Sequence, residues 1–295
     1  MTSNKTMTSL KPIALAGAAL FVTSKASNAQ TSTTLATLFV SANAIEEEKP
    51  DGANGEPLWV RNRRFSTTRI YIQQDPGEIG FEQWYRVRTF DGGQVTQRSQ
   101  TEVEIGLPYR MQLDLYENAI HDNADNRGWQ QEEVAVELRY AFADWGQIPL
   151  NPTLYFEYAL CHEGADGIEP KLLIGDDFGK GWHWGLNFIH ERRVWGDAEA
   201  EWRIAGGISR TIVDSCFSIG IEGQWTHPEG GKSEGIIGPT VQWLPTANTH
   251  LDLVAMAGLN DSSPNAECWL IFGFDFGQGT HKQQGYKPTS VGGGH

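Results

Sequence analysis

Residues 132–142 read EEVAVELRYAF, and apolar and polar side chains alternate along this stretch. Val134, Val136 and Leu138 share one parity, whereas Glu137 and Arg139 have the other. A period of two is the pattern of a β-strand with one apolar face. The stretch therefore predicts an amphipathic strand, and at roughly ten residues it is long enough to cross a bilayer when it is tilted.

The same alternation recurs over most of the chain, in segments separated by Gly, Asp, Asn and Pro clusters. About twelve such segments are found, at 81–90, 98–107, 110–119, 131–142, 152–161, 168–175, 182–192, 199–210, 217–227, 236–243, 249–259 and 266–276. An even number of antiparallel strands of this length is typical of outer-membrane barrels. Because an open sheet edge in lipid leaves backbone groups unpaired, the sheet must close. The sequence predicts an all-β fold, a closed antiparallel up-and-down transmembrane β-barrel of about 12 strands over residues 80–277.

The 295-residue chain is acidic, with a formal net charge of -14. This balance argues against nucleic acid as a partner, because a phosphate backbone is met by clustered Lys and Arg. The apolar faces carry large aromatics near the segment ends, as in the girdles at the water–lipid boundary. These are Trp182, Trp184, Trp202, Trp225, Trp243 and Phe276. The three cysteines are widely spaced, and spacing alone leaves open whether two of them pair.

Both ends of the chain predict segments outside the barrel. Lys5, Lys11, the apolar stretch 12–22 and the small residues before position 30 have the pattern of a secretory signal peptide over residues 1–29. Residues 30–79 are irregular, with Thr/Ser-rich and Gly-rich parts, and predict a mobile N-terminal periplasmic linker. Residues 278–295 predict a flexible C-terminal tail.

Four arginines lie close together in the predicted linker, at positions Arg61, Arg63, Arg64 and Arg69. One interpretation is that they contact acidic lipid or cell-wall material. The other is that they pair with nearby carboxylates, and we favour it because charge runs usually have a structural explanation.

The polar faces of the predicted strands would line the barrel interior, and they carry side chains of both signs. The residues that we expect to determine selectivity there are Arg86, Arg88, Glu102, Glu104, Glu137, Arg139 and Glu157. Mixed charges of this kind could instead cross-link and plug the lumen. Glu102 and Glu104 share one strand face, where they could serve acid–base chemistry or cation binding. We favour cross-strand pairing with Arg86, Arg88 and Arg139, and we predict no catalytic residue, metal or cofactor.

The links after odd-numbered segments include the longest polar loops, so we expect them to face outside and the others to face the periplasm. Two of these loops contain His121, Asp122, Asp125, Glu163 and Asp166, which could bind divalent cations that bridge lipopolysaccharide. The favoured alternative is that they are solvated loop side chains. The predicted location is the cell outer membrane, and the predicted partners are outer-membrane lipids, lipopolysaccharide and the outer-membrane assembly machinery.

Two stretches carry a resemblance to known proteins. The last segment, 268–276, reads CWLIFGFDF, and the hairpin 243–254 reads WLPTANTHLDLV. With the export signal, they resemble Gram-negative outer-membrane barrels of the uncharacterised transporter-like type, akin to the barrels grouped with the phenol-degradation MetA pathway. The resemblance spans residues 80–276 and implies a transport role. Outer-membrane barrels usually end at the aromatic residue of their last strand, whereas this chain continues beyond it.

Together these observations predict a passive channel or small-solute transporter with a charged lumen and no enzymatic activity. One alternative is an outer-membrane lipid hydrolase that uses His190, although no Ser lies within several residues of it to act as the nucleophile. The other is a soluble periplasmic β-barrel that binds an apolar ligand.

Overall fold

The computed structural model describes residues 45–125, 127–195 and 200–277. These residues contain twelve strands and three short helical segments, namely a 3-10 turn at Glu46–Glu48, helix α1 at Leu58–Arg61 and a 3-10 turn at Asp91–Gly93. The strands are β1 (Glu78–Thr89), β2 (Val95–Leu107), β3 (Met111–Asp122), β4 (Gln130–Ala141), β5 (Thr153–Cys161), β6 (Gly167–Asp177), β7 (Trp182–Arg193), β8 (Ala200–Val213), β9 (Phe217–Pro228), β10 (Glu234–Thr246), β11 (Thr249–Gly258) and β12 (Ala266–Gly277). No helix in the described ranges has the length and hydropathy to cross a membrane.

Each strand pairs antiparallel with its neighbours in the chain, and β12 returns to pair with β1. In that closing pair Glu78 lies opposite Gly277 and Thr89 lies opposite Ala266, so the seam is paired along all of β1. The predicted closed antiparallel barrel of twelve strands is therefore confirmed, and each strand lies within a few residues of its predicted bounds. The three cysteines, whose pairing the sequence left open, are all free thiols.

The alternation places apolar side chains on the outer surface and charged ones inside. On β5, Leu154, Phe156 and Leu160 are 47%, 49% and 52% exposed. On β4, Glu137 and Arg139 have no exposed surface. Soluble proteins show the opposite distribution. The outer surface of this barrel instead matches a wall built to face lipid.

Residues 45–77, which we call the plug, fold inside the barrel. The backbone N–H groups of Ser66 and Thr67 donate to Glu222 on β9, at 3.0 and 2.7 Å. The N–H of Arg69 donates to the Asn187 side chain on β7, at 2.7 Å. These wall residues lie on the inward faces of their strands, so the plug occupies the lumen between them.

The prediction of a mobile linker over residues 30–79 does not hold for residues 45–77. An irregular backbone usually lies at the surface, where water satisfies its polar groups. Here inward-facing carboxylates and amides of the wall satisfy them, and the plug adds a small apolar core of its own. That core includes Trp59, Phe65, Tyr71 and Ile72, all buried. The predicted signal peptide (1–29), residues 30–44 and the predicted tail (278–295) lie outside the described residues.

The links after even-numbered strands close over one end of the plug. In the β4–β5 link, the Trp145 ring lies 5.7 Å from the Trp59 ring and 5.3 Å from the Tyr71 ring. In the β8–β9 link, Asp214 accepts hydrogen bonds from the backbone N–H groups of Glu46 and Glu47. The plug therefore fills the end of the barrel where the even-numbered links lie.

Candidate functional site

The plug is held by arginines that reach carboxylates, and Arg61 makes the most such contacts. Its guanidinium lies 2.8 Å from Glu78 on β1, 3.0 Å from Asp75 and 2.5 Å from Asp51. The Arg61 side chain has no exposed surface. A buried guanidinium needs carboxylates and hydrogen bonds to replace its water. These three pairs therefore fix the junction between the plug and β1.

The other plug arginines are paired in the same way. The pairs are Arg63 with Glu82 on β1, Arg64 with Glu47 in the plug, and Arg69 with Glu102 on β2. The favoured interpretation of the arginine patch, pairing with carboxylates, is confirmed. Most of the wall partners are distant in sequence, and they become neighbours only because the plug enters the barrel.

Four of the predicted lumen residues form the seat of the plug: Glu102, Glu104, Glu137 and Arg139, all buried. The Arg139 guanidinium lies 2.7 Å from Asp114 and donates to the Gln73 side chain of the plug, also at 2.7 Å. Arg139 contacts Glu137 as well. The Gln74 amide donates to Glu104 at 2.9 Å. At this level the wall and the plug share one hydrogen-bonded network.

Beyond the plug the lumen opens into a cavity of about 410 Å³, which we call the vestibule. Ser66, Thr67 and Arg69 of the plug form its floor. Its walls come from the strand halves next to the links after odd-numbered strands. The predicted lumen residues that line it are Arg86, Arg88, Glu137 and Glu157. The structure thus divides the seven predicted residues between two levels, with Glu137 at the boundary.

Cross-strand register aligns five carboxylates on neighbouring strands, and we call them the carboxylate row. They are, each opposite the next, Glu104 on β2, Asp114 on β3, Glu137 on β4, Glu157 on β5 and Glu169 on β6. Directly opposed like charges destabilise a sheet. Cations therefore lie between them, and Lys171 is 2.5 Å from Glu169 and 3.9 Å from Glu157. Lys171 is not among the predicted lumen residues, although it shares the inward parity of Glu169.

The neutralisation expected for Glu102 and Glu104 is only partly right. Among the three arginines proposed for it, Arg139 comes near, at 3.9 Å from Glu104. Arg88 pairs with Glu267 on β12 instead. In the described part of the chain Arg86 has no ion pair and no hydrogen bond to protein. Parity predicts which side chains point inward, whereas register decides which of them meet.

Two groups of three carboxylates have oxygens within 4.8 Å of one another. The groups are Glu82 with Glu102 and Glu104, and Glu102 with Asp114 and Glu137. Guanidinium groups of Arg63, Arg69 and Arg139 already contact them. The positive charge that these carboxylates need is therefore supplied by protein side chains.

Among the described residues, neither His190 nor His183 has a hydrogen bond to a serine hydroxyl. The His190 ring stacks on Trp202 at 4.3 Å, and its Nδ1 is buried with no hydrogen-bond partner among the described residues. His183 does contact a carboxylate and a hydroxyl, Asp177 at 2.6 Å and Thr211 at 3.3 Å. The Trp59 ring of the plug, however, stacks on His183 at 4.5 Å and covers it.

The acidic side chains in the links after odd-numbered strands make local contacts. Arg127 lies 3.2 Å from Asp125 and 3.4 Å from Glu163. Asp166 accepts a hydrogen bond from Tyr158 at 2.8 Å. These contacts match the alternative of solvated loop side chains, and the binding of lipopolysaccharide stays a prediction.

The barrel is similar to solved outer-membrane structures. An outer membrane channel from Pseudomonas putida F1 matches with a TM-score of 0.53 and 13% identity, over 70% of this chain and 98% of that chain. The NanC porin matches with a TM-score of 0.49 and 13% identity, over 67% of this chain and 98% of that chain. No protein-family model and no curated protein matches the sequence. The first likeness shows that this chain shares the fold of that barrel.

Proposed function

We propose that this protein is a passive outer-membrane channel for small solutes, and that the plug closes it in the state described. The observation that carries the proposal is the pairing of an open, charged vestibule with a plug that blocks the remaining lumen. The vestibule receives side chains from ten or more strands and ends on the plug residues Ser66, Thr67 and Arg69. Among the described residues, the plug is the barrier that a solute in the vestibule would meet.

The plug is the movable part of this channel. The wall is a continuous ladder of backbone hydrogen bonds that closes on itself, and opening it would break many of them. The plug is instead held by side-chain pairs and a small apolar core. Displacing it leaves the barrel intact, so plug release is the step that admits solute.

Selectivity is assigned to the charged residues of both levels: Arg86, Arg88, Glu102, Glu104, Glu137, Arg139 and Glu157. Rings of charged side chains select ions by sign in channels. With the plug displaced, Glu104 of the carboxylate row loses Gln74 as a hydrogen-bond donor, and Arg139 beside the row loses Gln73 as an acceptor. Solutes could then pass along the carboxylate row, from the vestibule to the opposite end of the barrel.

The soluble alternative requires an apolar interior for its ligand. The vestibule lining is mostly charged or polar, and the large apolar side chains lie on the outside instead. We therefore assign the protein to the outer membrane, with lipids around its wall and the odd-numbered links outside. The assembly machinery that inserts such barrels would be its partner during biogenesis.

The test is conductance in planar bilayers. We expect full-length protein to pass little current with rare openings, and a variant that lacks residues 45–76 to pass large steady currents. Arg127→Gln, in an exposed loop, is the control and should behave like the full-length protein. The proposal fails if the plugless barrel, verified as folded by its altered gel mobility before heating, conducts no better than the intact chain.

A further inference from the structure

Arg86 differs from the other cations of the vestibule. Each of the others has a carboxylate partner within 4.0 Å, as follows: Arg69 with Glu102, Arg88 with Glu267, Arg98 with Glu132 and Glu133, Lys171 with Glu169, Arg193 with Glu191, and Arg203 with Glu169 and Glu191. Within the described ranges Arg86 has none. Its guanidinium carries five N–H donors that the protein leaves without an acceptor.

The neighbours of Arg86 increase its need for an anion. Arg98 lies directly opposite it on β2, and Trp269 lies directly opposite it on β12. Arg88 follows two residues later on the same inward face. Like charges placed opposite each other across a strand pair are destabilising unless a counter-charge lies between them.

The carboxylates near Arg86 are already engaged. Glu267 pairs with Arg88 and also accepts a hydrogen bond from the Trp269 indole at 2.5 Å. Glu132 and Glu133 lie 2.6 and 2.5 Å from the Arg98 guanidinium. The three carboxylates contact Arg88 and Arg98, and among the described residues none of them lies within 4.0 Å of the Arg86 guanidinium.

We infer that Arg86 is the anchor of a binding site in the vestibule for the carboxylate of a small organic anion. A guanidinium binds a carboxylate through two parallel hydrogen bonds, because the planar fork of its N–H donors matches the two carboxylate oxygens. One side of the Arg86 guanidinium is already fixed against the Trp269 ring, at 5.1 Å. This contact holds the fork in place and leaves its donors toward the cavity.

The size and lining of the vestibule suit such a ligand. Its volume of about 410 Å³ falls within the range of small-molecule sites, roughly 300–1,000 Å³. The Trp269 ring lines the cavity beside Arg86 and is partly exposed. It provides an apolar surface for the body of the anion while the carboxylate contacts Arg86.

This inference rests on the proposed function, because it takes the vestibule to be the mouth that solutes enter. The two are nevertheless separable by experiment, since binding is measured in detergent and conductance in a bilayer. A protein that binds the anion but never conducts rejects the channel proposal alone. One that conducts but does not bind the anion rejects the Arg86 site alone.

The test is calorimetric titration of detergent-purified full-length protein with cyclohexanecarboxylate and with its uncharged isostere, cyclohexanecarboxamide. We expect the carboxylate to bind and the amide to bind at least about tenfold more weakly, because a hydrogen bond to a charged group is lost. Arg86→Gln should weaken carboxylate binding by a similar factor. Arg210→Gln is the matched control, because Arg210 also packs on a tryptophan, Trp182 at 5.3 Å, but on the outer surface.

The site is rejected if the amide binds the wild type as well as the carboxylate, or if Arg86→Gln binds the carboxylate unchanged. If Arg86→Gln does not fold, Arg86→Lys replaces it, because lysine keeps the positive charge but loses the planar fork. Arg86→Lys is then expected to bind the carboxylate more weakly than the wild type, and unchanged binding would reject the fork geometry.

Discussion

The two halves of the lumen lie inside one barrel wall, but they balance their charges differently. In the vestibule, wall cations neutralise wall carboxylates: Lys171 pairs with Glu169, and Arg203 pairs with Glu169 and Glu191. In the plugged half, carboxylates of β1 and β2 pair with arginines that come from the plug. The carboxylates of the vestibule therefore have cations of the wall as partners, whereas those carboxylates of β1 and β2 in the plugged half have an arginine partner only with the plug in place.

This difference explains why the plug sits where it does. A buried carboxylate without a partner is costly, so the plugged half has a strong affinity for a segment that carries arginines. The vestibule wall has little need of further cations and stays open to water. Charge balance along the barrel thus decides which part of the lumen is blocked.

Removing a plug arginine should show the strength of this dependence. Arg61→Met leaves Glu78, Asp75 and Asp51 without their shared cation, and we expect it to lower the free energy of plug opening by about 3–5 kcal/mol. Native-state hydrogen exchange of the amides of residues 58–74 measures that free energy. Arg127→Met is the matched control, since it breaks two pairs in an exposed loop and should leave the opening free energy nearly unchanged. Equal effects of the two variants would refute the comparison.

The docking of the plug should also depend on pH through Glu56. Burial raises the pKa of this carboxyl from an ordinary value of 4.5 to about 7, with the charge of Asp75 as a further cause. Because the folded pKa lies above the unfolded one, the stabilisation is fully present below pH 4.5 and is lost as the pH rises through 7. We expect the opening free energy to fall by up to about 3 kcal/mol between pH 4 and pH 8.

Hydrogen exchange over that pH range, corrected for the intrinsic exchange rate, checks this expectation. Glu56→Gln should remove most of the pH dependence, whereas Glu163→Gln in an exposed loop should leave it unchanged. A plug whose protection is the same at both ends of the range, or a Glu56→Gln variant that keeps the full dependence, would contradict it.

The wall of this barrel could be predicted from the sequence, and the plug could not. The strands carry a period of two that any register preserves, so 132–142 and its counterparts gave nearly correct bounds. The plug has no periodicity, and its Gly-rich and arginine-rich composition is the same as that of a solvated linker. The sequence nevertheless contained one indication of the plug. The inward faces of the strands contain more acidic than basic residues, and the four plug arginines are the nearest residues that can balance this negative charge.

Within the site, the sequence could not predict the register, that is, which residues of neighbouring strands lie opposite each other. Arg86 and Arg88 share one strand and one face, and nothing local distinguishes them. They differ in the residues opposite, which are Trp269 and Arg98 for Arg86, and Glu267 and Thr96 for Arg88. A shift of two residues would exchange their roles. Which arginine is left for a ligand is therefore decided by how the barrel closes.

A pair of carboxylate variants should separate the two halves by function. Glu102→Gln removes the charge partner of Arg69, and we expect it to lower the opening free energy of the plug by about 1–3 kcal/mol. Glu157→Gln lies in the vestibule, away from the plug contacts, and should not change plug exchange. In bilayers made with the plugless barrel, Glu157→Gln should instead move the reversal potential in a KCl gradient toward that of an anion-selective pore. A vestibule variant that loosens the plug would refute the division.

The smallest expected effect concerns an uncharged contact of the plug. The Tyr71 hydroxyl donates to the backbone carbonyl of Ala143 in the β4–β5 link at 2.7 Å. Tyr71→Phe removes this bond but keeps the ring against Trp145, so we expect a loss of about 1 kcal/mol in the opening free energy. The amides of residues 70–73 should exchange faster, while those near Arg61 change little. If Tyr71→Phe releases the plug as strongly as Arg61→Met does, the end contacts and not the charge balance hold the plug, and the contrast between the two halves of the lumen has a different cause.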